Sequence, residues 1–71
     1  MLELTRQREL RGWNKRQLGQ EADLHPARVG VIENGRVRPY PVELARLAAA
    51  LGWESDPEDL IREVGNDGET A

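Results

Sequence analysis

Ten basic side chains, nine of them arginine, offer most of the chemistry in this chain, and eight of the ten fall within residues 1–38. A guanidinium donates in a rigid fork that fits phosphate oxygens or the O6 and N7 edge of guanine. A GC-rich genome produces the same excess of arginine, so composition alone does not separate recognition from ordinary surface solvation. The distribution of charge says more. Residues 1–38 hold eight basic and five acidic side chains, net +3, and residues 39–71 hold two basic and eight acidic, net −6, giving the chain's −3. Binding to a polyanion responds to the local field as well as to total charge, so a basic face on an acidic molecule is workable.

Other chemistries find little support. There is no cysteine and a single histidine, His25, so neither a thiolate zinc site nor a disulfide is expected, and no metal or cofactor is implied. The acidic cluster Glu54, Asp56, Glu58 and Asp59 lacks the glycine-turned spacing of a hard-metal loop and reads better as charge complementing a helix N-terminus. No Gly-rich phosphate loop follows a strand, so an enzyme is not expected. With no apolar run of membrane-spanning length and no signal-like start, the expected location is the cytoplasm.

The cations must be positioned by helices, since no strand signal appears. Seventy-one residues allow one domain, read here as residues 1–65, with a frayed polar tail over 66–71. The first helix places Leu4, Arg8 and Arg11 on one face and closes at Gly12. Asn14 and Gln17 stand at capping-box spacing before a short helix with Leu18 and Ala22 inward, ending near Asp23, a residue type that tolerates a left-handed corner. His25 at the cap and Pro26 at the first helical position open a third helix, with Val29 and Ile32 inward and Asn34-Gly35 as its stop. A fourth helix runs from about Pro41 to Leu51, with Leu44, Leu47, Ala48 and Leu51 at helical spacing. A fifth opens at Ser55-Asp56-Pro57, presents Leu60, Ile61 and Val64, and ends at Gly65. Trp13 and Trp53, beside apolar stripes at helix boundaries, read as core aromatics rather than base-stacking ones.

Two short helices joined by a tight corner over Asn14–Gly35 have the layout of a helix-turn-helix. From about Leu4 to Trp53 the chain resembles the phage-repressor and Cro-like, or XRE, helix-turn-helix regulators. The resemblance rests on Arg8 ahead of Gly12-Trp13-Asn14, on Gln17-Leu18, on Val29-x-x-Ile32-Glu33-Asn34-Gly35, on Arg36-x-Arg38-Pro39, and on Leu47-x-x-x-Leu51-Gly52. It implies an all-α, compact five-helix lambda-repressor-like domain. It also implies a semi-buried structural ion pair between Arg8 and Glu33, and a second grip on the DNA backbone by Asn34, Arg36 and Arg38. The chain departs from its relatives at Gly19, where alanine is usual, and at Gln7, where an apolar residue is common.

The start of the second helix, with Lys15 and Arg16, is the expected first phosphate contact, because free amides and the positive dipole end gather there. On the third helix the outward positions Pro26, Ala27, Arg28 and Val31 are the expected base readers. Arg28 would take a guanine, and Ala27 and Val31 would meet thymine methyl groups. His25 has two roles open to it, capping the helix and touching a phosphate. Leu60, Ile61 and Val64 have two as well, covering the monomer's own core or forming a homodimer contact on DNA. The function expected is a sequence-specific double-stranded DNA-binding regulator, most simply a small prokaryotic or phage repressor, nucleoid-associated when bound. The alternative is a protein-interaction module that keeps the fold without strong base readout, its partner unidentified.

Overall fold

A computed structural model describes residues 1–64. They form α1 (Glu3–Leu10), α2 (Lys15–Ala22), α3 (Pro26–Glu33), α4 (Pro41–Leu51) and a 3-10 helix over Pro57–Ile61. Three of the α-helices have eight residues, too short to persist alone in water, so their stability comes from the surfaces they share. α2 packs on α3 and on α4, and the 3-10 helix packs on α4 and on α1. Leu4, Leu18, Val29, Ile32, Leu47, Leu51 and Leu60 are fully buried between them. Trp13 and Trp53 are half-buried against this cluster, as their positions predict, and the Trp53 indole N–H donates to the Asp56 carbonyl at 3.0 Å.

The helix boundaries follow from local chemistry. The Asn14 side chain accepts from the Gln17 amide at 2.7 Å, and the Gln17 side chain accepts from the Asn14 amide at 2.8 Å, so both halves of the capping box are made. Asp23 ends α2 at φ 58°, and His25 caps α3 with Pro26 following it. Gly52, at φ 63°, closes α4 at the predicted residue.

The fifth helix is a correction. Its single 3-10 turn stops at Ile61, and Arg62 is already extended. The reason lies at the other end of the chain. The first amides of α1 have no partner within their own helix, and the Glu3 amide finds one in the Arg62 carbonyl at 2.9 Å. The Val64 amide donates to the Met1 carbonyl at 2.8 Å, and Leu2 and Glu63 form an isolated antiparallel bridge. Straightening the chain here satisfies backbone groups that a longer helix would leave unpaired. The expected stop at Gly65 and the tail over 66–71 lie outside the described residues.

The corner between α2 and α3 is set by contact. A Cβ on Gly19 would lie 2.5 Å from the Leu24 carbonyl oxygen, whose own residue donates its amide back to the Gly19 carbonyl at 2.8 Å. Alanine would gain up to about 1 kcal/mol of helix propensity at this position, but the clash is with backbone that is tied in place. Gly19→Ala is expected to destabilise the domain by about 1–3 kcal/mol in a urea melt. Unchanged or increased stability would mean that the corner opens without cost.

Candidate nucleic-acid interface

At the start of α2 the capping box consumes the amides of Asn14 and Gln17. The amides of Lys15 and Arg16, at the first two helical positions, have no acceptor within the helix. Both side chains are exposed. Two free N–H groups, the dipole end and two exposed cationic side chains therefore share this end of the helix, features that suit a phosphate. The start of α3 is different. Pro26 has no amide hydrogen, the Ala27 amide donates to the His25 Nδ1 at 3.0 Å, and the Arg28 and Val29 amides donate to the His25 carbonyl. This end is internally satisfied. Because Nδ1 accepts, a neutral His25 carries its proton on Nε2, where it is free to donate outward. Capping and phosphate contact are thus compatible.

α3 turns Val29 and Ile32 into the core. Its opposite face carries Ala27, Val31 and Asn34, at the i, i+4, i+7 spacing of one helical stripe, with Gly30 beside them. Ala27 and Asn34 are exposed, and Gly30 and Val31 half-exposed. Pro26 is half-buried, its nitrogen 3.5 Å from where a Gly19 Cβ would sit, so it belongs to the corner more than to the outer surface. A Cβ on Gly30 would meet the Lys15 Cδ at 4.0 Å, which puts the start of α2 and the outer surface of α3 side by side.

Arg28 departs from expectation. It sits on the flank of α3 that faces α4, half-buried, rather than as a free side chain on the outer stripe. Its Nε and Nη2 donate to the two oxygens of Glu43 at 2.7 and 2.8 Å, and its guanidinium lies over the Tyr40 ring, 5.5 Å from the centroid. The Glu43 carboxylate also accepts from the Tyr40 amide at 2.8 Å. The Arg28 hydrogen bond, followed by the Tyr40 amide and the Arg28 charge, holds the Glu43 carboxyl below the usual range against the opposing effect of burial. The pairing leaves no signal in the sequence. Glu43 stands three residues into a helix, where a glutamate reads simply as an N-terminal cap residue, and it lies fifteen positions from Arg28 with no periodicity to connect them.

Arg8 and Glu33 form the pair that the resemblance implies, with Nε–Oε2 at 2.8 Å, Nη2–Oε1 at 3.1 Å and side chains only 11% and 5% exposed. Nη1 of Arg8 donates to the Trp13 carbonyl at 2.8 Å, so all three nitrogens are engaged. The bond to Glu33 raises the Arg8 pKa despite burial. Beyond α3, Arg36 and Arg38 are exposed. Arg38 pairs with Glu58 at the surface, an exchangeable contact of small worth. Among the described residues Lys15, Arg16, Arg36 and Arg46 make no ion pair.

Of the two roles open to Leu60, Ile61 and Val64, covering the monomer's own core is the one that the burial of Leu60 supports. Leu60 is fully buried in its own core, Ile61 packs partly against that core, and Val64 lies beyond the 3-10 helix with its amide bonded to Met1. Leu60 thus serves the monomer's own core.

Two stability predictions follow from these pairs. Glu33→Ala should cost about 3 kcal/mol in a urea melt, the lower end of the range for breaking a buried pair, because the Trp13 carbonyl and the Glu9 carboxylate, 4.0 Å from Nη2, remain near the stranded guanidinium. A loss below about 1 kcal/mol would refute burial of that charge. For Glu43 the folded carboxyl titrates below the unfolded one, so its contribution is complete above an unfolded pKa of about 4.3 and disappears as pH falls through the lower folded value. The stability gap between wild type and Glu43→Gln should therefore be present at neutral pH and shrink on acidification below that range. A gap that is constant with pH would exclude the ion pair as its source.

A model of the helix-turn-helix domain family matches residues 2–61. Comparison with curated proteins and with solved structures returns no match. The matched span takes in all four α-helices, the capped α2, the corner at Gly19 and the outer face of α3, and the chain belongs to the helix-turn-helix domain family, a family of DNA-binding domains.

Proposed function

We propose that this protein is a sequence-specific double-stranded DNA-binding transcriptional regulator of the phage-repressor and Cro-like type, a small repressor acting in the cytoplasm. It docks through the start of α2 and reads the major groove with α3. The supporting observation is the adjacency of Lys15 to Gly30, which sets a helix end with free amides and cations beside the outer surface of α3. In this docking Lys15, Arg16 and the Nε2 of His25 meet phosphates on one side of the groove, and Arg36, with Arg38 exchanged from Glu58, meets them beyond α3. Ala27 and Val31 offer apolar contact to thymine methyl groups. Asn34, on the same stripe, is placed to touch either the backbone or a base edge. The polar groups of this surface are guanidinium, ammonium and amide groups and the imidazole of His25, whose Nδ1 is committed to capping the Ala27 amide, so we assign it binding rather than catalysis.

A second reading, a protein-interaction module on the same fold, draws on one observation: the centre of the α3 surface is Ala27, Gly30 and Val31, small and largely apolar.

Selection from a random duplex library, followed by fluorescence anisotropy on the selected site, separates the two. A regulator yields an enriched site and an affinity that falls steeply with salt. Arg36→Ala should weaken binding to selected and random duplexes alike and lower the salt slope by about one unit. Failure to enrich any duplex, with no salt-dependent binding, would turn the assignment to the interaction module. A two-fold symmetric site would mean that two copies bind together, through a surface other than Leu60.

A further inference from the structure

Two arginines make the same fork onto a glutamate, yet only one of them is left with a free edge. Arg8 engages Glu33 through Nε and Nη2 and closes its remaining nitrogen on the Trp13 carbonyl. Arg28 engages Glu43 through Nε and Nη2 in the same way, but its Nη1 has no hydrogen-bond partner among the described residues. No buried side-chain nitrogen or oxygen there lacks a partner, so Nη1 must reach solvent. A guanidinium has five N–H donors. With two committed to Glu43, the end formed by Nη1 and Nη2 keeps the parallel pair that the O6 and N7 atoms of guanine accept.

We propose that Glu43 is a positioning residue for base recognition, holding the Nε–Nη2 edge of Arg28 so that the adjacent Nη1–Nη2 end is presented to a guanine in the major groove. This rests on the DNA-binding function proposed above. Glu43 is itself fixed, through its bond from the Tyr40 amide at the start of α4, and the guanidinium lies over the Tyr40 ring. The side chain therefore gives up its rotamer freedom in the free protein rather than at the moment of binding. The pair as a whole is neutral. It adds base discrimination without adding attraction for phosphate, and the carboxylate opposes the general pull of the surface on DNA.

That last property gives a test that a merely structural role would not meet. On the site selected from the random library, Arg28→Ala should identify the guanine by losing about 5- to 100-fold of its discrimination. Glu43→Gln keeps an acceptor for the Tyr40 amide and should lose about 3- to 10-fold of discrimination at that same base pair, while binding to random duplex stays level or strengthens. An equal loss on selected and random DNA, or an undiminished guanine preference, overturns the role of Glu43. NMR on the wild type keeps the question decidable if Glu43→Gln does not fold. The Arg28 Nε–H signal should remain protected when the selected duplex is added, while the Nη signals shift. Loss of Nε–H protection would mean that the pair breaks on binding, and overturns the proposal. A library from which nothing is enriched overturns the DNA-reading function itself, whereas an enriched site indifferent to Glu43 leaves that function standing.

Discussion

The Arg8 guanidinium holds three parts of the chain together, and the geometry of the proposed DNA-facing surface depends on it. Carried on α1, it grips Glu33 at the end of α3 with two nitrogens and the Trp13 carbonyl, just before the cap of α2, with the third. The end of one interface helix and the beginning of the other are thereby fixed to a common point. A charge this well removed from water would be costly alone. Here every nitrogen has an acceptor and the carboxylate is bound at both oxygens, which is the condition under which a buried pair supports a fold. Because the spacing between phosphates and base edges in a duplex is fixed, such a clamp determines whether the start of α2 and the face of α3 can engage together.

The corner between α2 and α3 constrains the same two helices from the opposite end. Asp23 adopts the left-handed conformation, and Gly19 lets the Leu24 carbonyl come closer than any side chain would permit. With Arg8 at one end of the pair and Gly19 at the other, little freedom remains in how α3 lies on α2. Short helices of this kind have little stability of their own, so the rigidity of the surface is a property of these two junctions and of Leu18, Ala22, Val29 and Ile32 packed between them.

Most of this architecture is legible in the sequence, because its signals are local. Asn14 with Gln17, His25 with Pro26, Asp23, Gly35 and Gly52 are each a cap or a turn whose chemistry operates within a few residues, and each acts where the sequence places it. The features that escape are those decided across the chain. The last helix is cut short by the need of the Glu3 amide for an acceptor, fifty-nine positions from the residue that supplies it. Leu60 reads as one of three apolar residues on a helix face, and its burial by α1 and α4 is not encoded in that spacing. Arg28 is legible as the one long polar side chain on α3. Its capture by Glu43 is not, since ion pairs between separate helices leave no period in a sequence.

Taken together, the outer surface of α3 has a low centre and reactive margins. Ala27, Gly30 and Val31 project little, so in the proposed docking the helix axis can approach the base edges more closely than long side chains would allow. Polar groups then need to reach from the flanks: Arg28 from the side next to α4, Asn34 from the helix end, Lys15 from the start of α2. Of these, Arg28 is held in place by Glu43 of α4. A surface of this kind discriminates through the fixed placement of a few donors rather than through their number, which is why the junctions at Arg8, Gly19 and Glu43 bear on recognition although the first two lie away from the proposed groove-facing stripe. The acidic second half of the chain is consistent with this economy: it supplies the carboxylates that hold two of the arginines from the outside, Glu43 for Arg28 and Glu58 for Arg38, leaving the unpaired positive charge of Lys15, Arg16 and Arg36 beside the helix that would read the bases.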